Sequence, residues 1–307
     1  MSKLLALYQN GNYTVKLYSD GTKIKKTKDD KFIAEFPDSM DLKITDYCDM
    51  NCPMCHEKSS INGREGNLNE SFLSTLKRGT ELAIGGGNPL SHANLIPFLE
   101  KMKNQGVICN LTVNEAHLIK SQALIEELIA KKLIYGLGVS IKAYNQKAID
   151  FAKKHKNTVL HIINGIFTDF DKISNQDLKI LILGYKKFGK GKEYFSKEVS
   201  ENTDNTKMLL PKLLDKFECI SFDNLALVQL DVKSLISTEE YEKMYMGDDG
   251  EATMYIDLVN RVFALSSTSE KRYPLKDDII SMFQQIKNKE ADTLRHNHIP
   301  RKIARFS

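Results

Sequence analysis

From Met40 onward the chain alternates strand-like and helix-like segments at a spacing near thirty residues, and this alternation restricts the fold more than any other feature. Strand candidates are 41–45, 80–84, 107–113, 136–141, 158–163, 178–183 and 220–230. Helix candidates lie between them. One starts at Asn69 and ends at Gly79, another starts at Ser91 and ends before Gly106, and 118–132 carries Leu124, Ile125, Leu128 and Ile129 at helical spacing. Parallel neighbours need a crossover, so the repetition predicts an α/β fold on a parallel sheet, with six or seven units suiting a barrel or partial barrel. Within 107–114, Val107, Cys109, Leu111 and Val113 alternate with Ile108, Asn110, Thr112 and Asn114. In the next strand Leu137, Val139 and Ile141 alternate with Gly138, Ser140 and Lys142. The apolar set is expected to face outer helices and the polar set a lumen whose site sits at the C-terminal strand ends.

The flanks read differently. Residues 13–18 alternate, Asp20-Gly21 marks a hairpin turn, 22–26 returns, and 32–36 is a third short strand candidate. The lysines at 23, 25, 26, 28 and 31 are expected on a solvated hairpin edge. After Asp231 the repeat stops. Residues 252–258 and 261–265 read as a hairpin, 276–289 as a helix, and a basic tail follows with Arg295, His296, His298, Arg301, Lys302 and Arg305. Three parts are therefore expected: an N-terminal β-hairpin extension (1–38), a βα body (39–232) and a C-terminal hairpin and helix (233–307). No stretch approaches about 18 uninterrupted apolar residues, and the run from Leu4 to Tyr8 is short for a secretory signal. No membrane partner and a cytoplasmic location are expected. A net charge of +4 is too mild to argue for nucleic acid by itself.

Five cysteines in a chain expected in the cytosol argue against a disulfide framework, and Cys48, Cys52 and Cys55 lie within eight residues as C-x3-C-x2-C. Three soft thiolates on one short loop suit an iron–sulfur cluster or zinc. A four-iron cluster held by three cysteines keeps one iron open to a substrate or cofactor. Zinc on Cys48, Cys52, Cys55 and His56 is a rival, although His56 directly follows Cys55, a poor spacing for a tetrahedral knuckle. It would make the chain a zinc-stabilised module binding nucleic acid or protein. Cys52-Pro53-Met54-Cys55-His56 also fits the c-type haem attachment pattern, which leaves Cys48 unexplained. Cys109 and Cys219 sit in strand-like runs and are expected as small core residues.

C-x3-C-x2-C directly after a first strand resembles the radical S-adenosylmethionine (SAM) enzyme superfamily. The second strand supports the resemblance: Leu82-Ala83-Ile84 runs into Gly85-Gly86-Gly87-Asn88-Pro89, similar to the family's Gly-Gly-Glu-Pro with Asn88 in place of Glu. The likeness covers roughly 40–230. It implies a partial (β/α)6 barrel, a [4Fe–4S] cluster on Cys48, Cys52 and Cys55, and SAM chelating the fourth iron. Reductive cleavage of SAM then gives a 5′-deoxyadenosyl radical that takes hydrogen from a substrate. It also implies an electron donor such as flavodoxin or ferredoxin. Gly85, Gly86, Gly87, Asn88 and Pro89 would meet the SAM ammonium, Ser140 and Lys142 its ribose or carboxylate, Asn164 the ribose, and Tyr185 the adenine. The hairpin at 252–265 looks loosely like that of auxiliary-cluster family members but lacks their cysteines. The segment Lys186-Lys187-Phe188-Gly189-Lys190-Gly191-Lys192 is open to two readings: a contact for phosphate or an acidic substrate, or a solvated mobile loop. The substrate stays open among a nucleotide or nucleic-acid base, a peptide and a small metabolite.

Overall fold

Two sheets divide the chain, as a computed structural model describing residues 2–296, with side chains to 288, lays it out. The first contains β1 (Leu4–Asn10), β2 (Tyr13–Tyr18) and β3 (Lys23–Thr27), antiparallel in that order. The second opens with β4 (Ser39–Thr45) and β5 (Glu81–Gly86). It continues through α1 (Leu95–Gln105), β6 (Ile108–Asn114), α2 (Glu115–Lys120), α3 (Gln122–Ala130), β7 (Gly136–Ile141), α4 (Gln146–Lys154) and β8 (Thr158–Ile163). Then come α5 (Phe170–Ile173), β9 (Lys179–Leu183), α6 (Lys190–Tyr194), α7 (Lys197–Leu213), β10 (Cys219–Phe222) and α8 (Asn224–Gln229). The chain returns through α9 (Thr238–Met244), β11 (Thr253–Asp257), β12 (Val262–Ala264), β13 (Tyr273–Pro274) and α10 (Ile279–His296). The large sheet has the order β10-β9-β8-β7-β6-β5-β4-β11-β12-β13. It is parallel from β10 through β11 and antiparallel only at its last two pairings.

The alternation read from the strands decides the layers. Leu42, Ile44, Leu82, Ile84, Cys109, Leu111, Val113, Val139, Leu160 and Ile180 are buried in one core with Leu95, Phe98, Ile125 and Leu128 from the helices. The opposite face carries Asp41, Ala83, Asn110, Thr112, Gly138, Ser140 and His161, all of which line cavities. The small residues Ala83, Gly85, Gly136 and Gly138 on this face leave room for those cavities.

Several sequence expectations fail for local reasons. The segment 32–36 forms no strand, because asparagine side chains take its backbone groups. Asn12 Oδ1 accepts from the Ile33 N–H (2.7 Å), and Asn10 Oδ1 accepts from the Glu35 N–H (2.8 Å). The third strand is β1 instead. The stretch after Asn69 makes only a 3-10 turn at Ser71–Thr75. The Ser74 and Thr75 hydroxyls there donate to the carbonyls of Ser71 and Phe72, competing with helix propagation. The strand expected over 220–230 lasts four residues. Asp223 then caps α8, its Oδ1 accepting from the Ala226 N–H (2.7 Å). The helix over 118–132 is split at Ser121 into α2 and α3.

The lysine-rich hairpin is only partly solvated. Lys25 pairs with buried Asp38 at 2.8 Å and Lys23 pairs with Glu81, whereas Lys26, Lys28 and Lys31 are exposed. At the other end, the C-terminal hairpin joins the large sheet, with β11 parallel to β4. Of the basic tail, His298, Arg301, Lys302 and Arg305 lie outside the described residues, and Arg295 and His296 fall beyond the described side chains. No described helix is long and apolar enough to cross a membrane.

Candidate functional site

Strand β4 runs directly into the cysteine loop, which closes on itself. The Asp46 N–H donates to the Arg64 carbonyl, the Ser60 N–H to Asp46, and the Cys48 N–H to Ser60, at 2.8, 3.0 and 2.9 Å. The Cys55 N–H donates to the Cys52 carbonyl at 3.2 Å. Asn51 and Lys58 turn the chain in the left-handed region, with φ of 43° and 55°. The three thiols are half-buried. Burial raises the pKa of Cys48 and Cys52, and at Cys52 the ammonium groups of Lys142 and Lys190 oppose that rise. Outside the loop, Cys109 is buried as expected. Cys219 is exposed at the start of β10, which corrects its expected core placement.

Strand β5 ends on the glycine run beside this loop. The Gly87 N–H donates to Thr45 (2.7 Å) and the Asn88 N–H to Tyr47 (2.6 Å). A Cβ on Gly87 would run into the Tyr47 carbonyl. One on Gly86, whose φ is 112°, would run into the Thr45 carbonyl. These two glycines let the backbones touch, as only a residue without a side chain can. Gly85 differs: the nearest atom to a Cβ there is on Thr112, at 3.9 Å. It borders open cavity.

A cavity of about 320 Å³ lies at the C-terminal ends of the strands. Cys48, Cys52 and Cys55, Gly85, Gly86 and Gly87, and Ser140 and Lys142 all line it. Four expected residues do not. Asn88 has a buried side-chain oxygen without a partner, and Pro89 is buried at the start of a 3-10 turn. Asn164 is buried and donates to Gln229 (3.2 Å). The Tyr185 hydroxyl donates to the Gly191 carbonyl (2.8 Å). Asp41, Lys43, His56, Glu57, His161, Lys186 and Tyr255 also line the cavity. Most of these went unread in the sequence, although Asp41, Lys43 and His161 occupy the same inward register as Thr112 and Ser140. Polar residues at inward positions of apolar strands were the available signal.

Charge is concentrated on the wall under the cysteine loop. Buried Lys43 reaches Asp46 (2.6 Å), Glu57 (2.9 Å) and Asp257 (3.3 Å). Burial opposes the charged ammonium, but these carboxylates outweigh it and raise the Lys43 pKa. Burial likewise works against Glu57, yet His56 and Lys43 hold its carboxyl well below the usual range. Burial lowers the His56 pKa, with Glu57 opposing. The Tyr255 hydroxyl donates to Glu57 (3.1 Å), so β11 is tied to the cysteine loop. On the opposite side, His117 Nε2 meets Asp49 Oδ1 at 2.6 Å and anchors the loop to α2.

Three half-buried thiols on one loop are a donor set whose chemistry suits an iron–sulfur cluster or zinc. Tetrahedral zinc with bonds of about 2.3 Å needs its sulfurs about 3.8 Å apart. Among the described residues, the only trio of potential ligand atoms all within 4.8 Å is Cys48, Asp49 and His117. The three thiols and His56 are not all within that distance of one another.

Deeper in the lumen, a second cavity of about 400 Å³ shares Asp41, Ala83, Thr112, His161 and Leu183 with the first. The His161 ring lies where a Cβ on Gly138 would sit. Burial pushes its pKa down to about 4. Burial also raises the Asp41 pKa, with the nearby Lys186 charge opposing. A histidine whose folded pKa is depressed favours the folded state above its unfolded pKa of about 6.5, and that contribution is lost as pH falls towards the folded value. Urea midpoints measured at neutral pH and near pH 5 are expected to show a loss of about 2 kcal/mol from this group. His161→Gln should remove that part of the pH dependence; an unchanged slope would contradict a neutral buried ring.

No protein-family model matches the chain, and no curated protein matches it. Solved structures do resemble it. Streptococcus suis SuiB bound to precursor peptide SuiA superposes with a TM-score of 0.54 and 16% identity, covering 82% of this chain and 65% of SuiB. SuiB bound to S-adenosylmethionine superposes at 0.55 with 15% identity, covering 79% of this chain and 64% of that one. This chain thus spans somewhat less than two thirds of the SuiB length. At such identity the likeness establishes a shared α/β fold on a large, mostly parallel sheet.

Proposed function

We propose that this chain is a radical SAM enzyme on a partial (β/α)6 barrel, with Cys48, Cys52 and Cys55 holding a [4Fe–4S] cluster. The observation that carries this reading is convergence: the C-x3-C-x2-C thiols, the glycine run and Ser140 with Lys142 line one cavity at the C-terminal strand ends. A shared fold with a protein solved bound to SAM supports it. When bound, the cluster supplies the electron that cleaves SAM to methionine and a 5′-deoxyadenosyl radical. The protein's part is to bind, orient and exclude water. Gly85 borders the cavity without a side chain, so a ligand can approach the backbone there. Lys142 places a cation where it can meet a carboxylate, and Ser140 offers a hydroxyl. The unpartnered Asn88 oxygen is buried next to the glycine run and is an acceptor in reserve.

We assign the substrate to the hollow beneath, where Asp41, Thr112 and His161 connect the two cavities. SuiB binds a precursor peptide, which makes a peptide the first substrate class to assay here, ahead of a nucleotide or small metabolite. A flavodoxin or ferredoxin would deliver the electron, in a cytoplasmic setting. The test is anaerobic reconstitution with iron and sulfide, followed by metal analysis and incubation with SAM and dithionite. About four irons per chain, with formation of 5′-deoxyadenosine and methionine, are expected. A colourless protein holding one zinc and inert towards SAM would overturn the proposal.

A further inference from the structure

The lysine- and glycine-rich segment after β9 is neither a free loop nor part of the cavity wall alone: it lies across the cysteine loop. Gly189 has φ 55° and ψ −131°, and a Cβ there would run into the His56 carbonyl. Backbone therefore rests on backbone. The Lys190 N–H donates to the Cys55 carbonyl at 3.1 Å. Its ammonium donates to Asn51 Oδ1 at 2.7 Å and reaches the Ser59 carbonyl at 3.4 Å. One residue thus bonds the loop before Cys52, at Cys55 and beyond it. The other lysines behave differently. Lys186 donates to Ser267 (2.9 Å), and the Lys187 ammonium sits over the Phe195 ring at 3.6 Å. Both side-chain partners of Lys190 are neutral oxygens, and among the described residues no carboxylate pairs with it. Its positive charge is therefore not cancelled locally.

We infer that Lys190 is a positioning residue for the cysteine loop and a fixed positive charge that favours the reduced state of the cluster held there. The inference rests on the radical SAM reading for its redox part and on geometry alone for its positioning part. Cluster potentials follow net charge, hydrogen bonding and solvent exposure. A nearby cation stabilises the state with one more electron, and does so more strongly where water is partly excluded.

Four reconstituted proteins test it: the wild type, Lys190→Gln, Lys190→Arg and Lys187→Gln. Each is poised against mediators, and the reduced cluster is read by electron paramagnetic resonance. Lys190→Gln is expected to lower the reduced-to-oxidised ratio about tenfold at a fixed poise, about 59 mV for one electron. Lys190→Arg should restore most of it, and Lys187→Gln should change nothing. In the cluster-free protein, iodoacetamide should alkylate Cys55 several-fold faster in Lys190→Gln, with exposed Cys219 as internal reference. An unshifted potential in Lys190→Gln, or an equal shift in Lys187→Gln, overturns the redox role. If Lys190→Gln fails to load iron, an unchanged Cys55 alkylation rate overturns the positioning role. Failure of the wild type itself to take up four irons would instead sink the radical SAM reading, while the alkylation comparison would still report on the strap.

Discussion

On the proposed function, Cys52→Ala should remove SAM cleavage while leaving the protein folded. Cys52 sits mid-loop, and its carbonyl, which alanine keeps, accepts from the Cys55 N–H at 3.2 Å. The side chain is half-buried, so its loss leaves little cavity and is expected to cost under about 1 kcal/mol of stability. Function should respond very differently. On the proposed cluster, losing one of three thiolates would leave two corners without protein ligands, so iron content after reconstitution should fall well below the wild-type value. 5′-Deoxyadenosine formation should drop at least about a thousandfold, equivalent to about 4 kcal/mol in the barrier. Iron analysis, thermal melting and product chromatography on the same preparation separate the two effects. Full cleavage by the variant would show that the thiol trio is not the reactive centre. A large fall in melting temperature would assign the loop a structural role instead.

What the sequence made legible followed from periodicity and spacing. Strict alternation in β6 and β7 announced which residues face the lumen, and Thr112, Ser140 and Lys142 do line the cavity. The cysteine spacing put three thiols on one loop, and all three line the same cavity. What stayed hidden depends on contacts distant in sequence. Lys43 looks like a stray charge in a strand until Glu57 and Asp257 close around it. Asn10 and Asn12 look like turn residues, yet their side chains cap the backbone of 33–36 and prevent a strand. Gly138 gives no local sign that it makes room for His161 on the next strand. The strap had a signal, a glycine between lysines, but its meaning lay in the carbonyls of Cys55 and His56 that it meets. The residues expected to contact SAM divide into two groups. Gly85, Gly86, Gly87, Ser140 and Lys142, at or next to the ends of β5 and β7, reach the cavity. Asn164 and Tyr185, just past strand ends, turn aside to Gln229 and Gly191 because the chain bends there.

Asp38→Asn is expected to be strongly destabilising for a conservative change. Asp38 is 1% exposed and joins both sheets at the entrance to β4. It accepts from the Tyr13 hydroxyl (2.7 Å), Asn10 (2.8 Å) and the Tyr8 hydroxyl (3.2 Å), and pairs with Lys25 (2.8 Å). Its backbone binds Ala252 on one side and Glu81 on the other. Burial alone would raise its pKa, but Lys25 and the surrounding donors hold the carboxyl below its ordinary value. A depressed carboxylate stabilises the fold above its unfolded pKa of about 3.9 and loses that effect as pH falls through the folded value. Asparagine leaves the Lys25 ammonium, largely buried, without its counter-charge. Breaking one side of such a pair costs about 3–5 kcal/mol. The double variant Lys25→Met, Asp38→Asn should recover much of this, because the uncompensated charge is then gone. Chemical denaturation of the three proteins at neutral pH measures it. The single variant should also lose the N-terminal sheet first, with limited proteolysis cutting within residues 2–36. Were Asp38→Asn as stable as the wild type, the anchor between the sheets would have to lie in apolar packing instead, such as that of Tyr8 against the main core.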